Sequence, residues 1–315
     1  MPNAERLKNR LKLRDLDVLL AVVDTGSMGK AVGRLGVSQP AISKAIADLE
    51  RALGVRLLDR SRQGVEPTAY GRALVKRGIA MFDELRQGIE DIGFLADPTA
   101  GQLRIGASEV VARSIVAQAI IQLSRNHPRM DFHVMIGDSA PLNRLLEERK
   151  IELAIARLTD PIGPGFATTP LFEDSNFVAT GPGSQWLKRS RIDLAELMNE
   201  PWVQIQPDSF FGSQVAETFR ASGLALPRQA VTTPSLMLRD ELMRTGRFLT
   251  MVGRLSLGFP PIHPLPVKLV SPPMRIGITV LKNRSLSPLG ELFVETIRKI
   301  GKPLAGRLPA APKRR

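Results

Sequence analysis

The feature that most constrains this chain is a run of three amphipathic segments within residues 13–53, punctuated by glycines. Leu13–Asp24 sets Leu16, Leu19, Leu20 and Val23 at three-and-four spacing, which predicts a helix with one buried stripe. Gly26 ends it. Ser27 is placed to cap a second, short helix whose inward face is Ala31, Val32 and Leu35. Gly36 stops that helix, because a tight turn between helices needs a residue that tolerates positive φ. Ser38 then stands at the cap of a third helix with Pro40 in its first turn, where a missing N–H costs little.

In the third segment Ile42, Ile46, Leu49 and Leu53 share one face, and Pro40, Lys44, Ala47 and Arg51 lie opposite, flanked by Ser43. Small and polar residues beside a few cations suit a helix entering a major groove, where Gln and Ser can reach base edges. Taken by itself, the same face fits any solvated helix.

Charge adds a second line. The net charge is +13, and it is uneven: residues 1–77 hold 15 Lys and Arg against 8 Asp and Glu, and residues 298–315 hold 7 against none. The remainder is close to neutral. A basic N-terminal unit meets the first requirement of a polyanion partner, since phosphate neutralisation drives the sequence-independent part of DNA binding; solubility accounts for the charge equally well. With no cysteine, disulfides, thiolate-held zinc and cysteine redox switching are excluded. Met1–Lys12 has no apolar secretory core and no later stretch is long and apolar enough to span a bilayer, so the expected setting is the cytoplasm, with no membrane partner.

The residues as a set identify a family. Leu16, Gly26-Ser27, Ala31, Leu35, the run Ser38 to Ser43, Leu49-Glu50, Leu53-Gly54 and Arg60, followed by Pro67-Thr68 and Gly71, resemble the DNA-binding signature of LysR-type transcriptional regulators at its usual spacing. Leu20 and Leu58 stand where phenylalanine is more usual, and Val32-Gly33 replaces a common Ala-Glu. Arg62 to Gly71 most resembles the branch of regulators of sugar-binding proteins and aromatic-acid catabolism. The resemblance implies a winged helix-turn-helix over residues 1–68, with the helix-turn-helix at about 28–47, bound to double-stranded operator DNA. It implies that Ser27 and Lys30 approach the backbone and that Ser38, Gln39, Pro40, Ala41, Ser43 and Lys44 face the groove. Arg60 and Arg62, in a hairpin between Val55–Leu58 and Val65–Pro67, would form a wing on flanking phosphate or minor groove. RNA polymerase is a further partner expected of such a regulator.

Thr68 can cap a long helix over residues 69–96. Its stripe of Val75, Gly78, Phe82, Leu85, Ile89 and Ile92 alternates gaps of three and four, the seam of a coiled coil. Such a stripe can also pack on its own domain; the resemblance implies pairing between subunits, giving a homodimer or homotetramer. Asp97–Gly101 reads as a hinge.

Beyond it, strands Leu103–Ala107, Phe132–Ile136 and Leu153–Ala156 alternate with helices Glu109–Arg125 and Leu142–Lys150, a βαβ pattern that predicts a mostly parallel sheet. Further elements are expected at Leu194–Met198, Trp202–Gln206, Phe211–Ser222, Leu236–Thr245, Phe248–Val252, Arg275–Lys282 and Ser287–Ile300. The expected fold class is thus α/β multidomain: an all-α winged helix-turn-helix, a linker helix, and a two-lobed periplasmic-binding-protein-like domain over 102–300. Its lobe I would hold 102–176 and 271–300 and its lobe II 177–270, with a basic, disordered tail at 301–315.

A ligand in such a domain sits beyond the carboxyl ends of the strands. Ser108, Gly137, Asp138, Ser139, Arg157 and Thr159 occupy those ends in lobe I, and Gln206, Ser209, Phe210 and Thr250 face them from lobe II. Ser108 is either a ligand contact or a plain helix cap, and Arg157 either pairs with a carboxylate or is a solvated cation beside Asp160. The expected effector is a small polar or anionic metabolite. An oligomerisation scaffold without a ligand is the alternative. No cofactor, metal cluster or catalytic constellation is legible. Only His127, His133 and His263 are available, and Gly26 to Ala31 has the wrong glycine spacing for a phosphate loop, so an enzyme is not expected.

Overall fold

The computed structural model describes residues 11–61, 64–159, 162–271 and 274–304. The chain divides into two compact units, the first ending at Ile92 and the second starting at Gly93.

In the first unit α1 (Leu13–Thr25), α2 (Met28–Leu35) and α3 (Gln39–Leu53) surround a core of Leu19, Val22, Ala31, Ile42, Ile46 and Leu49. Gly26, Gly36 and Gly54 each end a helix in the left-handed conformation, as the glycine spacing predicts. The wing strands β1 (Leu58–Ser61) and β2 (Gly64–Pro67) pair antiparallel, with Arg60 opposite Val65. The first wing strand thus starts at Leu58 rather than Val55. The Glu50 carboxylate accepts the N–H groups of Leu57 (2.7 Å) and Leu58 (3.3 Å), so the approach to the strand is held by a side chain before the ladder begins. The wing is also tied to the α1–α2 turn: Val65 N donates to Gly26 O at 2.9 Å. Gly64, at φ 136°, passes so close that a Cβ would lie 2.8 Å from that carbonyl.

Helix α4 (Ala69–Ala96) begins where the Thr68 hydroxyl accepts from Gly71 N at 3.1 Å. Its apolar stripe is covered in its first half and exposed in its second. Val75 and Phe82 pack against the core of the first unit, and Gly78 faces Leu16 so closely that a Cβ would lie 3.1 Å from its side chain. Leu85, Ile89 and Ile92 are 53%, 63% and 69% exposed. The stripe drifts around the helix because 3.6 residues per turn does not match a 3.5-residue repeat, so its first half reaches the helix's own domain.

In the second unit β3 (Ala100–Ala107) already pairs Ala100 and Gly101 with Arg129 and Met130, so the expected hinge shrinks to Asp97–Thr99. A three-part helix follows: α5 (Glu109–Val111), a π-helical turn (Ala112–Val116) and α6 (Ala117–Asn126). Then come β4 (Arg129–Ile136), α7 (Ser139–Glu147), β5 (Leu153–Arg157) and β6 (Phe166–Asp174). Helix α7 starts earlier than the expected Leu142, with Asp138 at its N-cap position. The first sheet runs β4-β3-β5-β12-β6, where β12 is Met274–Leu281. Only β4, β3 and β5 are parallel; β12 runs antiparallel to β5 and β6. The expectation of a mostly parallel sheet therefore holds for half of it. The return strand and β6, whose Thr168-Thr169-Pro170 centre breaks the apolar pattern, supply the rest.

The second sheet runs β11-β7-β10-β8-β9 and comprises β7 (Asn176–Thr180), β8 (Trp202–Gln204), β9 (Gln229–Thr232), β10 (Leu249–Gly253) and β11 (His263–Pro264). It packs on α8 (Phe210–Ala221). Trp202 and Phe219 meet edge-on at 5.4 Å, and the indole N–H donates to Leu197 O at 2.9 Å. Full burial of one such ring stabilises by about 1.5–3 kcal/mol. Helix α9 (Leu236–Met243) covers the neighbouring end, and α10 (Pro288–Gly301) returns to the first sheet with Phe293 and Ile297 fully buried. Ser175 links β6 of the first sheet to β7 of the second. The expected disordered tail from Gly301 is corrected at its start: Gly301 ends α10, Lys302–Leu304 form a 3-10 turn, and Arg254 Nη2 donates to Leu304 O at 2.5 Å. Residues 305–315, the rest of that tail, lie outside the described residues. No helix among the described residues is long and apolar enough to cross a membrane.

Candidate nucleic-acid interface and ligand cleft

The face of α3 opposite its core is open. Ser38, Gln39, Pro40, Ala41 and Lys44 are exposed. Ser38 holds the N-cap position with extended backbone, but its hydroxyl makes no cap hydrogen bond, contrary to the capping role the sequence predicts. That leaves the hydroxyl available to an outside partner. Ser27 does cap α2, accepting from Lys30 N at 3.5 Å. Ser43 is half-buried with its hydroxyl 3.6 Å from the Met28 sulfur, so its side chain is partly turned toward the core. Arg60 is exposed on β1. Arg62 lies outside the described residues.

The second unit holds a cavity of about 200 Å³ between its two sheets. Ser108, Gly137, Asp138 and Arg157 line it from one lobe and Thr250 from the other, as expected. Ser108 is 7% exposed, occupies an N-cap position and makes no side-chain cap bond. Arg157, at the end of β5, places its guanidinium 4.2 Å above the ring of Phe211 in the opposite lobe. Burial pulls the Arg157 pKa below its ordinary value, while Asp174 and Asp138 oppose the shift. Its Nε is buried without a partner. Asp174 is itself buried, and burial raises its pKa; its carboxylate accepts from Arg254 N (2.8 Å) and Ser175 N (2.9 Å) at the crossing between lobes.

Five expected effector residues lie outside the lining. Ser139 donates to Arg157 O at 2.7 Å and so holds the arginine's backbone. Thr159 follows the strand without reaching the cavity. Ser209 donates to Gln206 O (2.6 Å) and accepts from Gly212 N (3.0 Å), so Ser209 and Gln206 form the cap of α8, with Phe210 behind it. Their neighbours take the place expected of them: Gln204, 3% exposed with Nε2 unpartnered, and Phe211. Thr233, Ser235, Arg239 and Ser256 were also not anticipated.

Comparison with known proteins settles the family. A family model for the LysR substrate binding domain matches residues 96–301, and one for the bacterial regulatory helix-turn-helix protein of the lysR family matches residues 13–72. The chain belongs to the LysR family. It is a DNA-binding transcriptional regulator with an effector-binding domain. Among its LysR-family relatives, the transcriptional regulator GbpR of Azospirillum brasilense is 29% identical over 300 residues, covering 93% of this chain and 87% of that protein. TdcA of Escherichia coli K12 is 24% identical over 292 residues, covering 91% and 93%. A full-length OxyR point variant of Pseudomonas aeruginosa shares the fold at TM-score 0.70 and 21% identity, covering 95% of this chain and 99% of that one; CbnR does so at 0.64 and 20%, covering 92% and 99%.

The α3 face lies within the stretch matched by the helix-turn-helix model, and the cleft within the stretch matched by the substrate binding domain. Two signals in the sequence point to the missed lining residues. Gln204 is a lone amide inside the apolar run Trp202-Val203-Gln204-Ile205, and Phe211 is the second ring of a Phe-Phe pair at a helix start.

Proposed function

We propose that Gln39, Ser38, Pro40, Ala41 and Lys44 read operator bases while Ser27, Lys30 and Arg60 contact the backbone, and that a small ligand between the lobes changes how a dimer or tetramer holds that DNA. The cleft supports this: Arg157 and Gln204, one from each lobe, bring unpartnered donors to a single cavity. A ligand that satisfies both is sensitive to the angle between lobes, and differential affinity for two lobe arrangements is the only means by which it can shift them. A CbnR structure determined with its target DNA shares the fold at TM-score 0.53, which supports duplex DNA as the partner. The exposed stretch Leu85, Ile89, Ile92 supports pairing of subunits through the second half of α4. RNA polymerase and a cytoplasmic setting belong to the same reading.

The test is selection of a duplex from a random pool followed by binding anisotropy at increasing salt. The reading requires a defined site whose log affinity falls linearly with log salt. Sequence-indifferent binding would contradict it.

A further inference from the structure

We propose that the occupant of the cleft is a compact monocarboxylate, its carboxylate held by Arg157 and Gln204 and its body seated against Phe211, Val203 and Met251. The inference rests on the cleft being the effector site and adds the class of ligand.

Both orphaned atoms in the cleft are donors, Arg157 Nε and Gln204 Nε2. The missing group is therefore an acceptor. Arg157 makes no ion pair among the described residues. Its cation is stacked on Phe211 and opposed by Asp174 and Asp138 only at a distance. Leaving a guanidinium N–H unpaired in an apolar setting is costly, and a planar carboxylate matches its geometry better than a hydroxyl does.

The limits on the rest of the ligand come from the walls. Val110, Ile136, Val203, Phe211, Met251 and Val252 make most of the lining apolar. A volume of about 200 Å³ is below the roughly 300–1,000 Å³ of pockets that take drug-sized ligands, so the body must be small. Glu109 and Asp138 also line the cavity and would repel a second negative charge, and the other arginine in the lining, Arg239, is already paired with Asp240. A dicarboxylate is disfavoured for that reason, and a polyhydroxylated neutral molecule would leave the apolar wall poorly matched.

The test is a thermal-shift and calorimetric panel on the full chain. Acetate, propionate, isobutyrate and benzoate are each compared with the corresponding primary amide, together with succinate and galactose. At least one acid should bind about tenfold or more tighter than its amide and raise the melting midpoint. Succinate should do neither. Arg157→Gln and Gln204→Leu should each abolish the preference for acid over amide, and the wild-type panel decides the matter if either variant fails to fold. Equal binding of acids and amides overturns the proposal. Stabilisation by galactose that is lost in Gln204→Leu overturns the carboxylate class while keeping a ligand in the cleft. Stabilisation by no compound overturns both.

Discussion

Arg113, in the π-helical turn of one lobe, donates from Nη1 to Oδ2 of Asp240 in the other lobe at 2.6 Å. The second oxygen of Asp240 accepts from Arg239 Nη2 at 2.7 Å and Nε at 3.1 Å. The Arg113 guanidinium also lies 4.2 Å over Phe259. One carboxylate thus ties a cleft-lining arginine of lobe II to a helix of lobe I.

That latch predicts a coupling. Asp240→Asn removes the charge that both arginines share, and hydrogen bonds to charged groups are worth about 1.5–3 kcal/mol, less here because Arg113 is partly exposed. Chemical denaturation should show Asp240→Asn destabilised by roughly 1–2 kcal/mol. A double-mutant cycle with Arg113→Ala should show non-additivity. Additive effects would mean that the pair carries no coupling between lobes.

Asp174 predicts a pH dependence. Burial raises its folded pKa above 3.8, against the pull of the Arg254 and Ser175 N–H groups and Arg157. A raised folded pKa means that folding favours the protonated acid. Its contribution is fully present below the unfolded value and is lost as pH climbs through the folded value. Compared with Asp174→Asn, the wild-type chain should lose stability from about pH 4 upward and then level off, as read from urea midpoints at stepped pH. A constant difference across that range would place the cause elsewhere.

On DNA, Gln39→Ala should lose about 1–3 kcal/mol of discrimination at one base position, because its amide is exposed at the open end of α3. Arg60→Ala should weaken all duplexes alike and reduce the salt slope by about one. Competition binding with single-base variants of the selected site separates the two behaviours. Equal loss for every base in Gln39→Ala would remove it from the reading set.

Assembly should depend on the exposed half of α4 alone. Leu85→Asp with Ile92→Asp should give monomers in sedimentation, while Val75→Ala should chiefly lower the stability of the DNA-binding unit. A wild-type monomer at micromolar concentration would refute the pairing.

The helix-turn-helix was legible because local rules fix it. Glycine stops, an N-terminal proline and a three-and-four apolar stripe all act within a few residues, so Leu13 to Leu53 folds as its pattern says. The cleft was half legible. Ser108 follows β3, Gly137 and Asp138 follow β4, and Arg157 ends β5, so the rule that ligands lie beyond strand ends finds them. In the second lobe β8 ends at Gln204, two residues before the expected Gln206, and a slip of that size exchanges lining residues for capping ones. For the stripe of α4 the limit is of a different kind. Periodicity shows that a face is apolar but not what covers it, and Gly78 meets Leu16 of its own unit.

The central claim, that a ligand in the cleft changes the grip on DNA, is tested most directly by footprinting the selected operator with and without the acid that the binding panel favours. The wild-type protein should change its footprint or its affinity by about 5- to 150-fold at saturating acid, and by linkage DNA should shift the affinity for the acid by the same factor. Arg157→Gln should bind the operator yet show no response at that concentration. An unchanged footprint and affinity in the wild-type protein, at a concentration where calorimetry shows the cleft filled, would contradict the account.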